Sequence, residues 1–169
     1  MTIARMLAGL GVLALGAGHA FGQPKGEADH RVVFEAGVAS DRGLAPGSSR
    51  FGGTVALEVT PIEKWLELEA GVTILGTLDQ RELSADLLFK KPWQLSRRAE
   101  FMAGIGPELS TRLAGAKHEI STAAEAVLDF MFWPTTNVGW YVEPSYSVSL
   151  GANAERRLGV SAGLLIGWP

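Results

Sequence analysis

Eight times along this chain apolar and polar side chains alternate at every second residue, each time for about ten residues before turn residues intervene. Only a β-strand sends successive side chains to opposite faces, so this period excludes a helical protein. A tilted strand of about ten residues is also what a bilayer crossing needs. The first block sets Val32, Phe34, Ala36 and Val38 against Val33, Glu35, Gly37 and Ala39. The third sets Leu66, Leu68, Ala70, Val72 and Ile74 against Glu67, Glu69, Gly71 and Thr73, and the fourth Leu83, Ala85, Leu87 and Phe89 against Glu82, Ser84, Asp86, Leu88 and Lys90. The last carries Leu158, Val160, Ala162, Leu164, Ile166 and Trp168 on one face. An even number of strands lets the ends meet and removes both sheet edges. The fold class expected is all-β: an eight-stranded antiparallel up-and-down transmembrane β-barrel.

Residues 1–22 read as a cleavable signal peptide: Arg5, an apolar run from Met6 to Ala17, then the small-residue stretch Gly18–Gly22. Residues 23–29 form a flexible leader, with His30 at its edge, and 30–169 the barrel domain. Taking 22 of the 169 residues away leaves 147, enough for one domain. Arg5 is the one charged residue removed, so 14 basic side chains remain against 18 acidic, a balance that gives nucleic acid no basic surface. The chain has no cysteine, which excludes disulfides, zinc–thiolate sites, thiol nucleophiles and a lipoprotein anchor.

Alternation alone leaves open which face is outside. A soluble, lipocalin-like periplasmic binding barrel would bury its apolar face, whereas a membrane barrel shows that face to lipid. Three features favour lipid. The polar face mixes carboxylates with Gly, Ala and Ser, which suits a narrow, filled lumen. All five tryptophans, Trp65, Trp93, Trp133, Trp140 and Trp168, fall at one end, as an interfacial belt would. The closing strand ends on Trp168, although Pro169 follows where such barrels commonly end on an aromatic residue.

Chain parity puts both termini in the periplasm, with periplasmic turns at Pro61–Lys64, Lys91–Arg98 and Pro134–Val138. The outward connections are Asp41–Arg50, Thr77–Arg81, Thr111–Ala116 and Gly151–Arg156, all short for an adhesin. Inside, Glu58, Glu69, Asp86, Lys90, Glu100, Glu125, Asp129 and Glu143 form the expected lumen charge network, with Glu67 nearby and Arg31 and Arg98 as further cationic partners. At the outer rim Arg42, Arg50, Arg81, Arg112, Lys117, Arg156 and Arg157 are candidate lipopolysaccharide contacts, because a guanidinium bonds two phosphate oxygens at once. Pro107 and Pro144 fall inside strands and predict bulges, since each removes a ladder donor. Gly104 and Gly106 fit lumen crowding, and the Ala-rich stretch Glu119–Asp129 is read as a strand despite its helical composition.

Chemistry is sparse. His118 and Ser121 are the nearest thing to a base and a nucleophile, but residues three apart on a strand face opposite ways. No paired histidines and no Asp/Asn-rich calcium loop occur, and no cofactor or metal site is expected. The pattern of residues 30–169 resembles eight-stranded barrels of the OmpA/OmpX type. More narrowly, Asp129-Phe130-Met131-Phe132-Trp133-Pro134, Gly139-Trp140-Tyr141-Val142-Glu143-Pro144-Ser145-Tyr146 and Leu158-Gly159-Val160-Ser161-Ala162-Gly163-Leu164-Leu165 are similar to a family of small exported proteobacterial proteins without known activity. The resemblance implies an outer-membrane barrel and nothing chemical. The function expected is therefore structural or envelope-maintaining, in a monomer whose partners are outer-membrane lipid, lipopolysaccharide and the barrel-insertion machinery. A narrow pore, a lipid A acyl hydrolase and the soluble binding barrel are the alternatives.

Overall fold

A computed structural model describes residues 30–44, 49–76, 81–114, 117–151 and 154–169. The expected signal peptide and leader, and the parts of the outward connections at 45–48, 77–80, 115–116 and 152–153, lie outside the described residues. Eight strands follow one another: β1 Val32–Gly43, β2 Arg50–Ile62, β3 Leu66–Gly76, β4 Arg81–Ser96, β5 Ala99–Ala114, β6 Lys117–Phe132, β7 Val138–Ser149 and β8 Arg156–Trp168. Each pairs antiparallel with the next, and β1 pairs with β8 from Val32↔Trp168 to Gly43↔Arg157, closing the barrel. The stretch from Glu119 to Asp129 is strand, because β5 and β7 on either side supply its ladder partners.

The apolar row faces outward. Val55, Leu87, Ile105, Val160 and Leu164 are exposed, while Glu58, Glu69, Lys90 and Asp129 are buried inside. A sheet with its hydrocarbon side outside and its charges inside is built for lipid, since water would be met by a continuous apolar girdle. The soluble-barrel alternative is overturned by this arrangement.

Several boundaries differ from those the sequence predicts. β4 and β5 run past the expected turn Lys91–Arg98, which shrinks to Arg97–Arg98, with Trp93↔Phe101 and Gln94↔Glu100 still paired. The connection expected at Thr111–Ala116 contracts likewise, since Ala114 pairs with Lys117. In both places charged residues sit in strands because a membrane barrel can extend beyond its hydrocarbon band. His30 is not part of a loose leader. Its Nε2 lies 2.5 Å from the Thr136 carbonyl, and its ring stacks on Trp133 at 4.1 Å.

Pro107 and Pro144 produce no bulge. The β4–β5 ladder skips Leu87 and Leu88 opposite Gly106 and Pro107, then resumes in unchanged register, and the β6–β7 ladder does the same around Pro144. A strand residue directs its N–H and C=O to one neighbour only, so each proline weakens one ladder and keeps the other, Pro107↔Ala124 and Pro144↔Val160. The shifts of register lie elsewhere, between Val59 and Ile62 and between Gln94 and Ser96, at the ends of hairpins.

Beside Pro107 the two strands approach closely, and a Cβ on Gly106 would stand 1.9 Å from the Leu87 carbonyl oxygen. Gly106→Val is thus expected to block barrel closure, seen as loss of the heat-modifiable gel band, whereas Gly151→Ala, with open space around it, should leave that band unchanged.

Candidate functional site

The lumen is organised in layers along the barrel axis. With the end bearing both termini called proximal, the first layer there is an apolar plug. Val33 of β1, Met102 of β5, Met131 of β6, Tyr141 of β7 and Leu165 of β8 pack together, with Trp133 against them. All stand on the inward-facing parity of their strands.

Above the plug lies Lys90. Its Nζ donates to Glu69, to Asp129 at 3.0 Å and to Glu143 at 2.7 Å, and Glu58 stands 3.8 Å away. These carboxylates come from β3, β6, β7 and β2, so one lysine from β4 ties together strands on both sides of the ring. Room for its stem comes from Gly104, where a Cβ would lie 2.7 Å from Lys90 Cγ. Glu35 and Glu67 are buried in the same region.

Next is a cavity of about 80 Å³, lined among others by Asp86, Glu125, Glu143, Ser145 and Ser161. Hydroxyl pairs brace the wall at this level and above, Thr54 with Thr73 at 2.8 Å and Ser110 with Ser121 at 2.7 Å.

The distal layer is a second ionic centre. Arg50 donates to both oxygens of Asp41, at 2.8 Å from Nε, and to Glu82 at 2.5 Å. Arg157 reaches from β8 across the lumen to Glu82 on β4 at 2.7 Å and to Glu108 on β5 at 2.8 Å, and Arg112 adds a contact to Glu82 at 3.3 Å. Strands four apart in a ring of eight are opposite walls, so the Arg157–Glu82 pair is a strut across the barrel.

Of the expected lumen network, Glu58, Glu69, Lys90, Asp129 and Glu143 come together, while Asp86 and Glu125 line the cavity instead. Glu100 is half-buried two residues proximal to Met102, next to the plug and away from Lys90. Arg31 pairs with Glu63 at the exposed proximal edge, and Arg98 is exposed in the β4–β5 turn, so neither supplies the lumen with charge. Asp41, Glu82 and Glu108 were missed as network members, although each stands on the inward parity of its strand.

Two rim arginines are corrected as well. Arg50 and Arg157 turn into the lumen, where carboxylates hold their guanidinium groups, and Arg112 is partly drawn in. Arg42, Arg81 and Arg156 do point outward and are exposed; the Lys117 side chain lies outside the described residues.

The tryptophans divide four to one. Trp65, Trp93, Trp140 and Trp168 are exposed at the proximal end, whereas Trp133 caps the plug and is no belt residue. Its odd number places it on the inward parity of Met131, a signal the sequence already carried. Phe101, Phe130 and Phe132 join the outward aromatics: Phe101 stacks on Trp93 at 5.5 Å, and Phe132 on Trp140 at 4.2 Å. As for a catalytic pair, the Ser121 hydroxyl is engaged by Ser110, and the His118 side chain lies outside the described residues.

A carboxylate deprived of its buried partner costs about 3–5 kcal/mol. Arg157→Met should therefore destabilise the barrel by about that much in denaturant titrations, because Glu82 and Glu108 lose a donor, whereas its outward neighbour Arg156→Met should change stability by roughly 0.5 kcal/mol or less.

Three solved structures share this architecture. Neisserial surface protein A superposes with a TM-score of 0.62 at 14% identity, over 81% of this chain and 96% of that one. OprG from Pseudomonas aeruginosa gives 0.60 at 14% identity, over 83% and 98%. Ail, the attachment invasion locus protein of Yersinia pestis, gives 0.53 at 12% identity, over 81% and 99%. No family model and no curated protein matches the chain, so the narrower resemblance to exported proteobacterial proteins gains no support. At these identities the likeness is one of fold: an eight-stranded closed barrel of the OmpA/OmpX type.

Proposed function

We propose that this chain is exported to the outer membrane of a Gram-negative bacterium and serves there as a closed structural barrel that maintains the envelope. The observation that carries the reading is the pairing of an outward apolar girdle with a lumen closed by Met102, Met131, Tyr141 and Leu165, each at most 2% exposed. A barrel filled in this way holds its shape against lipid and offers solutes no open path. One of the fold neighbours, OprG, is an outer membrane protein, which agrees with the same location.

On this reading the proximal aromatics, Trp65, Trp93, Trp140 and Trp168 with Phe101 and Phe132, sit at the inner headgroup level of the membrane. Arg42 and Arg156 lie on the same outward face of the β1–β8 seam, where Leu44 N–H bonds the Arg156 carbonyl, and Arg81 stands on the outward face of β4. Among the described residues these three are rim cations placed to contact lipopolysaccharide phosphates. No reaction is assigned, and the barrel is expected to be handled by the insertion machinery as a monomer.

A narrow pore is the competing reading, and the plug argues against it. Purified protein in planar bilayers should give no unit conductance steps; regular channel events would replace the structural role by a conducting one. The membrane location is tested by Ile105→Arg, at an outward position that is 68% exposed. Facing hydrocarbon, the substitution should cost roughly 2–4 kcal/mol and deplete the protein from the outer-membrane fraction. A barrel in water would accept it without loss.

A further inference from the structure

The two ionic centres differ in charge balance. At the distal mouth Arg50, Arg112 and Arg157 meet Asp41, Glu82 and Glu108, one cation for each carboxylate. At the lower centre Lys90 alone faces Glu58, Glu69, Asp129 and Glu143, with Glu35 and Glu67 buried beside them. An ammonium has three protons. Lys90 directs them to Glu69, Asp129 and Glu143, and nothing remains for the others. Glu35 Oε1, Glu58 Oε2 and Asp129 Oδ1 are buried without a hydrogen-bond partner, on residues only 2%, 2% and 0% exposed. Orphaned carboxylate oxygens at such depth require a positive counterpart.

We propose that Glu35, Glu58, Glu69 and Asp129 bind a divalent cation of calcium size beside Lys90. One oxygen from each of these side chains lies within 4.8 Å of the others. Oxygens at roughly 2.3–2.6 Å from Ca²⁺ stand up to about 4.6–5.2 Å apart across the ion, whereas the Mg²⁺ shell at roughly 2.0–2.1 Å spans only about 4.0–4.2 Å. A spread of at most 4.8 Å admits either shell, and the choice falls to Ca²⁺ because Mg²⁺ gives up its waters reluctantly and is seldom held by an all-protein carboxylate cage. The ligands come from the adjacent strands β1, β2 and β3 and from β6, which is not their neighbour in the ring, so the ion would join two walls of the barrel. Further ligands are at hand, because the cavity bordered by Glu69 and Glu143 adjoins the cluster and is large enough for water. A proton shared between two carboxyl groups is the rival means of balancing the charge, and it leaves no metal to detect.

Equilibrium dialysis of the refolded full chain in detergent, stripped with chelator and then exposed to radioactive Ca²⁺, tests the site. One Ca²⁺ per chain is expected, retained against an equal concentration of Mg²⁺. The double variant Glu35→Gln with Glu58→Gln should weaken binding by at least about tenfold, while Lys90→Met should strengthen it by about tenfold or more, since the like charge beside the ion is gone. Asp86→Asn with Glu125→Gln, at the cavity wall, should leave the stoichiometry unchanged. Wild-type protein that retains no Ca²⁺, or retains it equally after the Glu35 and Glu58 changes with the heat-modifiable band intact, would overturn the proposal. Weaker or unchanged binding by Lys90→Met would do so as well.

Discussion

Hydrocarbon on the outside leaves a barrel nowhere to put its polar groups but inward, and eight strands enclose too little space for water to solvate them all. Every inward charge has to find its partner within the lumen. The chain meets this requirement with long side chains that cross the interior. Arg157 spans from β8 to β4 and β5, and Lys90 gathers carboxylates from β2, β3, β6 and β7. Main-chain ladders hold only neighbouring strands. The charges connect opposite walls, and so they keep the ring from flattening.

Those crossings depend on what surrounds them. Lys90 reaches its partners because Gly104 leaves its stem a channel, and the plug of Val33, Met102, Met131, Tyr141 and Leu165 closes the proximal side of the carboxylates around it. Trp133 completes the seal and is itself held by stacking on His30, whose ring bonds the Thr136 carbonyl. At the same end the Arg31 N–H donates to the Trp168 carbonyl and closes the seam, and the Asn137 side-chain amide donates to the Gly167 carbonyl. Residues at the very start of the barrel thus bear on the charge chemistry two layers above them. Dry carboxylates hold counter-charges far more tightly than wet ones, because the interior screens so weakly.

The period-two pattern was enough to read eight strands, their faces and the identity of the lumen residues, because in a barrel parity decides almost everything about a side chain's surroundings. It fell short wherever position along the axis or reach across the lumen mattered. Arg50 and Arg157 have the composition of a rim, yet their inward parity and the carboxylates Asp41, Glu82 and Glu108 draw them inside. Trp133 shares the level of the other tryptophans, yet its parity points inward and it packs against the plug. Pro107 and Pro144 lack a ladder donor and so suggest bulges, yet each residue's N–H serves only one ladder and the other holds the strand in register. Strand ends such as Gln94 and Ala114 were lost to turns because charged residues beside a membrane look like loop.

The carboxylate cluster lay beyond sequence reading for a different reason. Metal-binding motifs are recognised by ligands spaced a few residues apart on one element, whereas Glu35, Glu58, Glu69 and Asp129 stand on four strands and meet only when β1 closes against β8 and carries Glu35 to the centre. Before closure each of these side chains is free to meet water. After closure they share one enclosed space with a single lysine whose protons are already taken. The electrostatic cost of bringing them together is therefore met when the ring closes. A cation that binds only the closed ring would favour closure itself, since whatever binds the folded state alone adds its binding free energy to stability.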